Sequence, residues 1–302
     1  MERKRRPSPA LALLAALSVV AFTAAEAAAF CRSSTCPPDA ELGIQGAICD
    51  PPLETDCGAP LRWERDCLGF AFQENASGEV PLKTARSLLK QAFATWESVD
   101  CGGAGPGIHA VDMGSVECDR VEYEPRAGNA NILVFRDAGW EENGYDKLAL
   151  TTVNYDKETG EIWNADIEVN TRDYQFIQGE GGGDYDLRGV LTHEVGHFLG
   201  LAHTTDGQAT MFESYHEGMP DLSEDDILGI CSTYPPRSFD RETCNPIPRH
   251  GFSPRCAAKQ TEGQCSLGAP EHQSLPDSPP LWPVAAAITA LTLRRRRRPR
   301  RR

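Results

Sequence analysis

The sequence is short of positive charge in the part that would have to carry a nucleic acid. Of its 30 Lys and Arg residues, twelve lie in two terminal runs: Arg3, Lys4, Arg5 and Arg6, then eight arginines between Arg294 and Arg302. Residues 30–280 are left with 18 basic against 42 acidic side chains. Such a body cannot neutralise phosphates, so nucleic acid is excluded as a partner. No Cys-x-x-Cys pair occurs, which tells against an all-cysteine zinc site and a thioredoxin-type redox site. No GxGxxG spacing cradles a phosphate: the Gly-rich stretch Gly179 to Gly183 lacks it, has acidic neighbours and reads as a lead into a helix. No internal repeat is visible. Apolar runs fall short of the about 20 residues that span a bilayer. What is present, 40% hydrophobic residues and five tryptophans, is too much for a disordered chain. One large folded domain with trimmings is expected.

The trimmings are read as addresses. Residues 1–29 have a basic start, an apolar stretch from Leu11 to Ala25 and small residues at Ala27 and Ala29, the pattern of a secretory signal peptide cut after Ala29. At the other end Leu281 to Leu293 is apolar, broken by Pro283 and followed by the arginine cluster. Its arginines would hold that end on the cytoplasmic side of a membrane. The pattern of residues 281–302 resembles the C-terminal sorting tails of secreted myxobacterial and other Gram-negative proteins, which implies transient membrane docking through the tail. Export through the inner membrane of a Gram-negative-type bacterium, to the medium or the cell surface, is the expected localisation. Eleven cysteines fit an oxidising compartment. Ten can pair, and Cys265 is the natural odd one out; the connectivity is unreadable.

Along the chain, residues 30–60 are rich in Cys, Pro and Asp and read as a disulfide-pinned N-terminal segment. A globular pattern covers residues 61–236, and residues 237–280 read as a Cys- and Pro-containing linker. Leu68 to Phe72 predicts a strand. Leu82, Ala85, Leu88, Leu89, Ala92, Phe93 and Trp96 recur at helical spacing, so Pro81 to Val99 predicts a helix. Asn131 to Phe135 predicts a strand; Lys147 to Asn154 and Ile162 to Asn170 predict two more, joined as a hairpin through Asp156 to Gly160. Asp184 or Asp186 would cap a helix, and Ser223-Glu224-Asp225-Asp226 opens the last one, which Pro235-Pro236 stops.

Residues 193–203 read His-Glu-Val-Gly-His-Phe-Leu-Gly-Leu-Ala-His. Positions four apart on a helix differ by about 40° of rotation, so His193 and His197 project from one face and can share a zinc ion, with Glu194 beside it. On a continued helix His203 would stand about 120° away. It reaches the same ion only if the chain turns sharply at Gly200, a residue suited to the left-handed conformation that ends helices. Three imidazoles leave the fourth position of a tetrahedral zinc open, the mark of a catalytic site.

At this point the sequence resembles the metzincin clan of zinc peptidases and, within it, the matrixin-like group. Met211, eight residues after His203, stands where the group has its methionine turn. Tyr215 matches a tyrosine that walls the pocket for the side chain after the cut bond, although Glu213 replaces a common proline. Asp225 or Asp226 would be the aspartate that buttresses the turn. The resemblance implies an α+β metzincin-like catalytic domain: a twisted, mostly parallel five-stranded sheet over two long helices, with a small C-terminal subdomain below the cleft. By the same resemblance an extended substrate lies along the strand Lys147 to Asn154, with Ala149 and Leu150 nearest the metal. One catalytic zinc is expected; the remaining histidines lack the pattern of a second, structural zinc. Calcium is compatible with the many carboxylates, without named ligands. Cys57-Gly58-Ala59-Pro60 matches the middle of the matrixin latency stretch, but a disulfide at Cys57 is preferred to a thiolate switch.

The implied activity is that of a secreted zinc-dependent endopeptidase acting on protein or peptide, with Glu194 as general base. Two alternatives carry the same motif: a narrow-specificity zinc amidase, and a catalytically silent metzincin-fold protein used for surface binding or adhesion. The oligomeric state is not legible.

Overall fold

The computed structural model describes residues 30–37, 46–54, 56–140, 146–178, 184–217, 219–257 and 285–288. The signal peptide, the Gly179 to Gly183 stretch, Cys265 and the arginine cluster lie outside the described residues. In chain order the elements are β1 (Phe30–Ser33), β2 (Ala47–Asp50), β3 (Cys67–Gln73), α1 (Leu82–Glu97), β4 (His109–Val116), β5 (Ile132–Phe135), β6 (Ala149–Tyr155), β7 (Ile162–Val169), β8 (Phe176–Ile177), β9 (Tyr185–Asp186), α2 (Leu187–Phe198), α3 (Glu224–Thr233) and β10 (Ala285–Ile288).

The main sheet runs β10-β6-β7-β5-β3-β4. Strands β4, β3, β5 and β7 are mutually parallel, and β6 is antiparallel to β7. These five make the mostly parallel sheet that the resemblance implies; β10 adds a sixth strand on the β6 edge, antiparallel to it. The β6–β7 hairpin closes through Asp156, which accepts the amide of Gly160 on its carbonyl and those of Glu158 and Thr159 on its side chain.

Helix α1 buries Ala85, Leu89, Ala92, Phe93 and Trp96, the stripe that three- and four-residue spacing puts on one side. Helix α2 is buried nearly all round, from Leu187 to Phe198, as befits a helix through the core. An aromatic ladder sets the spacing of sheet and helices. Phe70 of β3 stacks on Phe93 of α1 at 4.8 Å, Phe93 meets Phe198 of α2 edge-on at 5.1 Å, and Trp63 lies 5.3 Å beyond. Each such side chain contributes about 1.5–3 kcal/mol on burial.

Five disulfides join Cys31–Cys49, Cys36–Cys57, Cys67–Cys244, Cys101–Cys231 and Cys118–Cys256. All ten cysteines other than Cys265 are thus paired, and Cys57 is joined to Cys36 as preferred. Three of the bridges close loops of 130, 138 and 177 residues; constraining loops that long in the unfolded chain is worth about 4–5 kcal/mol each. Cys67–Cys244 and Cys118–Cys256 also fasten the beginning of the segment read as a linker to the sheet.

Candidate metal centre

Helix α2 starts where Asp186 caps it, its carboxylate accepting the amide of Arg188. It ends at Phe198, and its last carbonyls are met by side chains: Trp63 Nε1 donates to Phe198 O at 2.8 Å and the Tyr234 hydroxyl donates to Leu199 O at 2.8 Å. Gly200 then turns the chain with φ of 94°. A Cβ there would stand 2.4 Å from the Leu61 carbonyl oxygen, so conformation and close approach both require glycine.

The turn after Gly200 is clamped from an unexpected direction. Strand β1 lies beside it: Ser33 N donates to Gly200 O, Ala202 N donates to Cys31 O, and Ser33 Oγ donates to Leu201 O at 3.1 Å. The N-terminal segment therefore shapes the path that delivers His203.

The delivery succeeds. Nε2 of His203 lies 3.2 Å from Nε2 of His197 and 3.3 Å from Nε2 of His193. Nitrogens bound to one tetrahedral zinc at about 2.0–2.1 Å stand about 3.3 Å apart. The protons are placed to suit a metal. His193 Nδ1 is 2.6 Å from Thr210 O and His197 Nδ1 is 2.9 Å from Leu201 O; a carbonyl only accepts, so each Nδ1 donates and each Nε2 turns a lone pair to the centre. Burial pushes the His193 pKa down to about 4, against a pull upward from Thr210 O, which keeps the ring neutral at neutral pH. Burial first, then the electrostatic influence of the neighbouring His193 ring and of Lys147, holds His203 well below its ordinary value.

Glu194 is fully buried, and burial raises its pKa to about 8, while the Thr151 hydroxyl and the charge of Lys147 pull the other way. A dication beside it would reverse that balance. Its Oε2 accepts from Thr151 Oγ1 at 2.6 Å. Its Oε1 is buried without a hydrogen-bond partner among the described residues. Two observations thus fit a catalytic metal: three converging imidazole nitrogens, and a carboxylate oxygen left over for a further polar group.

Met211 lies beneath, against α2. A Cβ on Gly196 would stand 2.2 Å from Met211 Sδ and 3.0 Å from Trp96, so the glycine inside the histidine motif lets the methionine approach. Of the two candidates Asp225 and Asp226, Asp226 holds the turn. Its two oxygens accept the amides of Thr210 and Met211 at 2.8 and 3.0 Å, and it also accepts the amide and hydroxyl of Ser223, completing a capping box on α3. A chain of bonds runs from Asp226 to the Thr210 amide and from the Thr210 carbonyl to His193.

Tyr215 packs at the start of α2, its hydroxyl accepting the Asp186 amide at 2.9 Å and its ring edge-on to Tyr185 at 5.1 Å. Ala149 and Leu150 open β6, but their side chains face opposite ways: Ala149 is in the main core, and Leu150 packs with Trp140 apart from it. The β6 side chain that touches Glu194 is Thr151, which sequence reasoning did not single out. Also missed were Ser33, Gly196 and Thr210; of these only Gly196, inside the motif, carried a local signal. Among the described residues one further group has metal-ligand proximity, Cys118, Glu122 and Cys256, and two of its members are joined as a disulfide.

Comparison with known proteins shows the family of the chain. The family model described as Matrixin matches residues 62–235. Human matrix metalloproteinase-19 is 30% identical over 179 residues, covering 59% of this chain and 31% of that protein. Bovine interstitial collagenase is 47% identical over 64 residues, 21% of this chain and 14% of its own. Metalloendoproteinase 4-MMP of Arabidopsis thaliana is 27% identical over 186 residues, 57% and 48% of the two chains. The chain spans less than half the length of each of these relatives.

Proposed function

The chain belongs to the matrixin family of zinc peptidases, and from that premise we propose that it is an endopeptidase that hydrolyses peptide bonds of protein or peptide substrates with one catalytic zinc. The observation that carries the reading is the meeting of three imidazole Nε2 atoms, 3.2 and 3.3 Å apart, beside the unpartnered Oε1 of Glu194. His193, His197 and His203 would hold the metal. Zinc so held supplies a Lewis acid that brings the pKa of water towards about 7 and stabilises charge on the carbonyl oxygen.

The rest is the work of the chain's own groups. Glu194, fixed through Oε2 by Thr151, presents Oε1 to take the proton of the attacking water and then to deliver it to the leaving amine. Thr210 O and Leu201 O orient His193 and His197 and keep their protons on Nδ1. Met211 on its Asp226-held turn sets the floor, and Tyr215 forms part of the wall that receives the side chain following the cut bond. An extended substrate would add to the β6 edge at Ala149 and Leu150, main chain to main chain. Glu194 tells against the silent binding-protein alternative, because its retention in a fully buried position without a base's role would be a costly ornament.

Five disulfides support an oxidising, extracellular or cell-surface location. Among the described residues no helix is long and apolar enough to cross a membrane. The test of the reading is turnover of an unfolded protein by the oxidised, zinc-loaded chain. Cleavage that a chelator abolishes and zinc restores supports it; a folded, zinc-loaded protein that cuts no unfolded protein refutes it.

A further inference from the structure

Strand β6 has two neighbours, β7 inside the sheet and β10 outside it. The outer edge is the one that matters for function, because Thr151 of β6 touches Glu194 and a peptide laid across the metal centre has this edge to pair with. In the structure the stretch of that edge from Thr151 to Asn154, directly beyond Ala149 and Leu150, is taken. Ala285, Ala286, Ala287 and Ile288 oppose Asn154, Val153, Thr152 and Thr151, antiparallel, so the strand runs towards the Glu194 end of β6 and brings Ile288 opposite the residue that holds Glu194.

We propose that this C-terminal segment is a built-in competitor, which lies on the β6 edge as a substrate strand would and holds the peptidase in a low-affinity state until it is displaced or removed. The inference rests on the peptidase reading above. Its chemistry suits a temporary occupant. Residues 284–293 carry no charge, so no ion pair has to be broken to lift the strand. Four residues rich in alanine have weak strand propensity, which leaves main-chain pairing as the hold. The tether is ample: the 27 residues from 258 to 284 can extend to about 90 Å, several times the about 17 Å radius of gyration of a domain this size. A segment tethered at about millimolar effective concentration that binds with a dissociation constant of about 0.1 mM raises the apparent KM about tenfold.

The experiment compares three forms that begin at Phe30: the chain to Arg302, the chain ending at Pro280, and the chain to Arg302 carrying Ala286→Pro and Ala287→Pro. Adjacent prolines remove two amide donors and cannot both be accommodated in a strand pairing on one side, yet they leave the length and the arginines intact. Steady-state kinetics on a soluble extended peptide should show KM about tenfold lower in the second and third forms, with kcat unchanged. Binding of a fluorescent version of that peptide is measured in the same three forms with Glu194→Ala added, so that no form can shorten itself, and the dissociation constants should differ by the same factor. Equal KM and equal affinity in all three overturn the inference while leaving the peptidase reading intact. Relief by truncation but not by the prolines also overturns it, since the tail would then act otherwise than as a strand. If none of the forms cuts or binds any peptide, the peptidase reading fails and takes this inference with it.

Discussion

Ser33 and His197, 164 positions apart in sequence, meet at one atom: the carbonyl oxygen of Leu201 accepts Ser33 Oγ at 3.1 Å and His197 Nδ1 at 2.9 Å. The hydroxyl belongs to the N-terminal strand, the imidazole to the metal centre, and the carbonyl to the turn that carries the chain from one histidine to the next. The disulfide-pinned segment is therefore part of the scaffold of the centre. Replacing Ser33, which is fully buried, by Ala should cost about 1 kcal/mol of stability. Because it loosens a group that orients a ligand, zinc affinity should fall by up to about tenfold. Urea denaturation and competition with a chromogenic chelator measure the two effects.

Thr151 is the positioning residue for Glu194. Thr151→Val keeps shape and removes the hydroxyl that anchors Oε2, so kcat should drop about tenfold with zinc stoichiometry unchanged; a lost interaction of about 1.4 kcal/mol corresponds to that factor. Pre-steady-state cleavage of a fluorogenic peptide, beside metal analysis, separates this from loss of metal. Thr151→Ser should restore most of the rate.

Gly196 is the contact on which helix α2 and the methionine turn close. Alanine would favour the helix by about 1 kcal/mol, but its Cβ would have to displace Met211 Sδ and Trp96, an overpacking that costs about 1–3 kcal/mol. The net expectation is destabilisation with weaker zinc retention. A smaller side chain at 211, in the double variant with Met211→Ala, should show non-additive recovery of zinc retention in a double-mutant cycle.

How much of this was legible in sequence follows the range of the interactions. The histidine motif is local: eleven residues hold the three proposed ligands, the proposed base and the turning glycine, and helical geometry relates them. The stripe of α1 and the β6–β7 hairpin were legible for the same reason, periodicity and a turn. Strand β4 was not, since its Asp112, Gly114 and Ser115 break any apolar alternation on an edge strand with partly exposed side chains. Thr151 meets Glu194 across 43 positions and Ser33 meets Leu201 across 168; neither leaves a local pattern. The turn's aspartate was narrowed to two neighbours, and only three dimensions distinguish Asp226 from Asp225. The strand formed by residues 285–288 lies in a stretch whose composition pointed to a membrane instead.

Away from the centre, acid should weaken the joint between α1 and β4. Both oxygens of Asp112 lie 2.6 Å from Arg86 Nη1. Burial pushes the Asp112 carboxyl up, but the Gly114 amide and Arg86 outweigh it, and its pKa is lowered from the ordinary 3.8. A carboxyl depressed in the folded state stabilises above its unfolded pKa and loses that contribution as pH falls through the folded one. Asp112→Asn should thus be less stable than the native protein by about 1–3 kcal/mol at pH 7. The gap should close as pH falls below 3.8. Urea titrations at neutral pH and stepwise into acid would show it; a gap independent of pH would deny the carboxylate its role.

If three imidazoles present a metal and Glu194 moves the proton, kcat/KM for an extended peptide must collapse in Glu194→Ala while zinc content, measured beside it, does not change. One zinc per chain is expected in both proteins, with the rate lowered by at least about the 100- to 10,000-fold attributed to a positioned general base. A Glu194→Ala protein that keeps its zinc and cuts within a few-fold of the native rate would contradict that role for Glu194.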